Sequence, residues 1–65
     1  MSVREIWLHL TDGRAVLDGE PERNDPSGRR EAERRCFQAL ARSDVAWVET
    51  KIVARYAGGR KGTYR

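Results

Sequence analysis

The sequence predicts an α+β fold: a small ββαβ(β) domain, an antiparallel sheet of three or four strands with one helix packed on one face. Three observations predict it. "VREIWLHLT" alternates side-chain character and runs into Asp12-Gly13, a dipeptide suited to a tight turn. "RREAERRCFQALAR" repeats its apolar residues at helical spacing. "SDVAWVETKIVARYA" is rich in the β-branched and aromatic residues that suit a half-buried pleated surface.

Residues 2–19 form the predicted hairpin. With Asp12-Gly13 as a two-residue turn, Leu10 faces Ala15, His9 faces Val16, Leu8 faces Leu17 and Trp7 faces Asp18. That register collects Ile6, Leu8, Leu10, Ala15 and Leu17 on one apolar face, and Trp7, His9, Val16 and Asp18 on the other. Residues 19–28, "GEPERNDPSG", read as a loop holding both prolines. Asp25-Pro26 is an N-cap followed by proline in the first helical turn, with Ser27 as the alternative cap, and the helix is expected over 26–42. Its buried stripe is Ala32, Cys36, Ala39 and Leu40, with Phe37 at one margin. A strand over 44–57 follows. Its side chains divide into Ala46, Val48, Thr50, Ile52, Ala54 and Tyr56 towards the helix, and Val45, Trp47, Glu49, Lys51, Val53 and Arg55 away from it. Gly58-Gly59 permit a further turn, after which residues 58–65 either return as a short strand or end as a basic tail.

Sixty-five residues make a single domain, 1–65, and leave no room for a second core. One cysteine excludes an internal disulfide, and one cysteine with one histidine cannot build a zinc site of familiar spacing, so no metal or other cofactor is expected. Self-association remains as a route to stability. The chain has no run of about 20 apolar residues, and its first residues lack a cleavage pattern, which favours the cytoplasm and no membrane partner. The net charge of +3 is unevenly placed. Residues 1–25 hold three cations and six acids, whereas residues 51–65 hold five cations and no acid. Such polarity steers partners or ties one part of a chain to another.

Three surfaces carry the candidate chemistry. The helix side opposite the apolar stripe holds Arg30, Arg34, Arg35, Gln38 and Arg42, with Glu31 the only acid among them. Guanidinium forks in such a row suit phosphates or an acidic protein, and equally a solvated helix face. The last segment interleaves Arg55, Arg60, Lys61 and Arg65 with Tyr56 and Tyr64, as single-stranded nucleic acid binders do, without any RNP-like or helix-turn-helix signature. The third surface is the sheet face that one helix cannot cover. Trp7, His9, Val16, Trp47 and Val53 are expected there, with Val3 and Val45 nearby, and that is too apolar for an ordinary solvated face.

Catalysis is not expected. His9 has no nucleophile or carboxylate that the hairpin would bring beside it, and Cys36 on the apolar stripe reads as a small hydrophobe. "AGGRKGT" lacks the spacing of a phosphate-cradling loop, the acids of residues 18–25 are broken by Pro21 and Arg23, and no small-molecule substrate is evident.

The expectation is therefore a non-enzymatic protein-interaction module, in the style of phage or mobile-element inhibitors that block a host nucleic-acid-handling complex. Its partner surface would be Trp7, His9, Val16, Trp47 and Val53 together with Arg30, Arg34, Gln38 and Arg42, facing another protein or a second copy of itself. The alternative is a small nucleic-acid binder that sets Arg30, Arg34, Arg35, Arg42, Arg55, Arg60, Lys61, Tyr64 and Arg65 against the strand.

Overall fold

The computed structural model describes residues 2–54, so the predicted strand end and tail lie outside the described residues, with Arg55, Arg60, Lys61, Tyr64 and Arg65. Strand β1 (Ser2–Leu10) runs up the centre, followed by β2 (Ala15–Leu17), β3 (Glu22–Arg23), helix α1 (Pro26–Leu40) and β4 (Val45–Ala54). All pairings are antiparallel. On one side β1 pairs with β2 along its upper half and with β3 at its lower end, and on the other it pairs with β4 along its whole length. The fold class predicted from the sequence is the one observed: a four-stranded antiparallel sheet with one helix on one face.

The hairpin register differs from the expectation by one residue. Trp7 faces Leu17, Leu8 faces Val16 and His9 faces Ala15. The reason lies in the turn. A two-residue Asp-Gly turn needs positive φ at both residues, but only Gly13 adopts it, at 94°. The loop is instead Thr11-Asp12-Gly13, closed by Gly13 N–H to Leu10 O at 3.0 Å and Leu10 N–H to Arg14 O at 2.7 Å. Asp12 accepts the Arg14 N–H at 3.0 Å and Arg14 Nε–H at 2.8 Å, which fixes the chain's exit from the turn. Because side chains alternate, one residue of slip moves Val16 to the helix side and puts Ala15 and Leu17 on the open side.

The core is Ile6, Leu8, Ala32, Ala39 and Val45, with Leu10, Val16, Cys36 and Val48 packed against it. Val45 joins this core because the β1–β4 pairing skips a residue: Trp47 faces His9 while Val45 faces Leu10, so Ala46 is the extra residue of a bulge. That bulge overturns the expected placement of Val45 on the open face.

Helix α1 begins as the sequence suggests. Asp25 caps it, accepting Gly28 N–H at 2.7 Å and Ser27 Oγ–H at 3.0 Å, and Pro26 occupies the first turn. Its buried side is Gly28, Ala32 and Ala39: of the expected stripe Ala32 and Ala39 are buried and Cys36 packs against the core, but the helix is rotated so that Gly28 turns in and Leu40 turns out. Two features turn it. Gly28 lies against the β3 backbone, where a Cβ would stand 1.8 Å from Arg23 O. Arg35 points inward and is held by the segment after β2: it donates to Asp18 O, to Glu20 O at 2.7 Å and to Glu22 Oε2 at 2.7 Å. This rotation leaves Leu40 half exposed and Phe37 76% exposed.

Candidate protein-binding face

The open face of the sheet is built by cross-strand pairs. Along β1 and β4, Val3 lies opposite Val53, Glu5 opposite Lys51, Trp7 opposite Glu49, and His9 opposite Trp47. The helix covers the other side, so these residues share a surface that no other element covers among the described residues. Trp47 is 53% exposed and Leu17, beside Trp7, is 43% exposed.

Its aromatic residues are locked in place. The His9 and Trp47 rings stack with centroids 3.7 Å apart and planes within 6°. His9 Nε2–H donates to Glu49 Oε1 at 2.9 Å, fixing the imidazole from its other end. Trp7 Nε1–H donates to Glu5 Oε1 at 3.0 Å, and the Lys51 ammonium lies 5.2 Å from the Trp7 ring centroid. A stacked pair contributes about 0.5–1.5 kcal/mol and an exposed cation–π contact about 0.5–1 kcal/mol. The network therefore orders these side chains before any partner arrives.

Of the residues predicted to form this surface, the structure brings together Trp7, His9 and Trp47, sets Val53 on the same face but opposite Val3 at the far end of the strand pair, and corrects Val16, which packs on the core side for the register reason given above. Sequence reasoning placed Leu17 on the helix side and missed Glu5, Glu49 and Lys51 as members of one network. The signal for the last three was present: in a strand pair, Glu5 and Trp7 share a face, as do Glu49 and Lys51.

The helix arginines do not form a uniform cationic row. Arg35 is corrected outright: expected on the outer side, it faces inward, with its side chain only 18% exposed. Arg34 pairs with Glu31, and Arg42, beyond the last helical turn, grips Asp44 at 2.8 and 3.1 Å. That bidentate pair raises the Arg42 pKa and lowers that of Asp44. Arg30 and Gln38 are exposed on the outer side, and Arg30 has no ion-pair partner among the described residues. The acids that answer the arginines come largely from the same chain.

A second apolar surface was not foreseen. Between α1 and β4 on the helix side lies an open groove of about 690 Å³, floored by Ala32, Cys36 and Val48 and flanked by Phe37 and Leu40, with Arg4 and Arg29 among its lining. Burial raises the Cys36 pKa, so its thiol is not activated as a nucleophile. The exposed Ile52 side chain lies next to Arg4 on the same side of β4.

Among the described residues, no helix is long and apolar enough to cross a membrane, and no three His, Cys, Asp or Glu residues converge to hold a metal ion. No protein-family model matches the chain, and neither a curated protein nor a solved structure matches it.

Proposed function

We propose that this protein is a non-enzymatic interaction module whose open sheet face docks a protein partner. One observation carries the reading: two tryptophans and a histidine stand on a sheet face left open among the described residues, held by Glu5, Glu49 and Lys51, with Leu17 beside them. Rigid aromatic anchors inside a polar rim are what interface hot spots consist of, because little side-chain entropy remains to be lost on binding.

The charges favour protein over nucleic acid at this face. Stacking platforms for bases are ringed by cations that meet phosphate, whereas this network sets two carboxylates, Glu5 and Glu49, against one cation, Lys51. A phosphate backbone approaching Trp47 would meet Glu49. A protein partner would offer an apolar patch to Trp47 and Leu17, with donors for the outer oxygens of Glu5 and Glu49. Occupying a host complex in this way would block it sterically or competitively, without chemistry.

The test uses a photoreactive residue placed at Leu17 on the open face or at Arg30 on the outer helix side. Cross-linked partner from the Leu17 position alone, lost in a Trp47→Ala background, supports the reading. Cross-linking from Arg30 alone, or recovery of nucleic acid in place of protein, overturns it.

A further inference from the structure

We infer that β4 is a self-association edge, through which two copies pair antiparallel about a two-fold axis at Thr50. This goes beyond the docking of a partner on the open face, and it fails or stands independently of it.

The two sides of the sheet end differently. On one, β1 is bordered by β2 of three residues and β3 of two, short segments that offer little to pair with. On the other, β4 presents ten residues whose outer edge has no strand partner among the described residues. A long exposed edge is a template for another strand unless charge, proline or a bulge blunts it. The one bulge of β4 lies at its start, at Ala46, the strand contains no proline, and its two charges, Glu49 and Lys51, are opposite in sign.

The sequence of β4 is complementary to itself in one register. With Thr50 opposite Thr50 of the second copy, Glu49 lies opposite Lys51, Val48 opposite Ile52, Trp47 opposite Val53 and Ala46 opposite Ala54, and each match occurs twice. Shifting by two residues either way sets Glu49 against Glu49 or Lys51 against Lys51. An odd shift would put the two helices on opposite faces, because opposed residues share a side. The matched register keeps both helices on one face and the two aromatic surfaces on the other.

It also covers apolar side chains that border the groove. Ile52 is 56% exposed at this edge, and Phe37 and Leu40 stand exposed over the same side. Pairing would place Ile52 of each copy against Val48 of the other, beside the groove that Val48 floors. The two open faces would then lie side by side in a continuous sheet, presenting two Trp47 anchors to a partner, and two linked sites bind more tightly than either alone.

Sedimentation equilibrium of the full chain, with site-directed cross-linking, tests the inference. The wild type is expected to dimerise, and Ile52→Lys to weaken the dimer by at least about tenfold by placing a charge against Val48 while retaining the folded circular dichroism spectrum. In a Cys36→Ser background, Thr50→Cys should oxidise to a disulfide dimer, since opposed Cα atoms about 4.5–5.5 Å apart fall within disulfide reach. Ala46→Cys should not, because its counterpart lies about eight residues, or roughly 27 Å, along the second strand. A wild type that stays monomeric at millimolar concentration overturns the inference, including the case in which residues 55–65 cover the edge. A dimer that cross-links through Ala46→Cys but not Thr50→Cys overturns it as well.

Discussion

Replacing Gly28 with alanine separates local helix preference from tertiary packing, because the two predict opposite signs. Gly28 lies in the first turns of α1 with ordinary negative φ, so helix propensity alone makes Gly28→Ala stabilising by up to about 1 kcal/mol. Space decides otherwise. An added Cβ would lie 1.8 Å from Arg23 O, 2.6 Å from its carbonyl carbon and 3.0 Å from its nitrogen. All three are backbone atoms, so no side chain can swing away. The helix or β3 must retreat by more than an ångström, and β3 is held there by the pairing of Arg23 with Val3. Overpacking of this kind costs about 1–3 kcal/mol and sometimes more. The propensity gain offsets part of it, leaving a net loss of about 1–2 kcal/mol, or roughly 5–15 °C in Tm for a domain this small. Thermal unfolding followed by circular dichroism measures it. A variant as stable as the wild type, or more so, would refute the close crossing of α1 over β3, and with it the explanation of the helix rotation.

Other predictions concern the loops, the acid limb and the open face. Arg35→Ala should destabilise the fold by about 2 kcal/mol, because it leaves the part-buried Asp18 carbonyl and Glu22 carboxylate without their partner; urea unfolding with an unchanged midpoint would contradict that role. Asp12, Asp25 and Asp44 all have lowered pKa values, held down chiefly by the Arg14 N–H, the Gly28 N–H and the Arg42 side chain respectively. Carboxyls depressed in the folded state add stability that is present above their unfolded pKa of about 3.9 and is lost as pH falls through the folded values. Stability should therefore be flat from these groups above about pH 5 and decline below about pH 4, with a shallower decline in Asp25→Asn; an acid limb identical in that variant would remove the cap from the explanation. Trp47→Ala should lower stability by only about 1 kcal/mol, since half the ring is already in water and the lost contact is mainly the His9 stack. A larger collapse, seen as loss of the cooperative melt, would mark Trp47 as core.

Much of this fold was legible in the sequence because its strongest signals are local. The β1 alternation, the Asp25-Pro26 cap and the β-branched run of β4 each specify an element without help from elsewhere. The hairpin register was not legible, since Asp12-Gly13 suits both a two-residue turn and a three-residue loop with glycine at the left-handed position. That one ambiguity misplaced Val16, Ala15 and Leu17. The Ala46 bulge likewise moved Val45, and nothing local announces a bulge of this kind. The helix rotation was hidden for a different reason: Arg35 reads as a surface cation until the carbonyls of Asp18 and Glu20 are folded beneath it. The open face survived these errors in outline, because Trp7, His9, Trp47 and Val53 depend on the β1–β4 alternation and not on the hairpin turn.

The most direct test of the account is photo-cross-linking in a lysate of the encoding organism, with the reactive group at Leu17 or at Arg30. The account predicts one protein species captured from Leu17, abolished by Trp47→Ala, and no capture from Arg30. Capture from Arg30 that is indifferent to Trp47, or nucleic acid in place of protein, would contradict it.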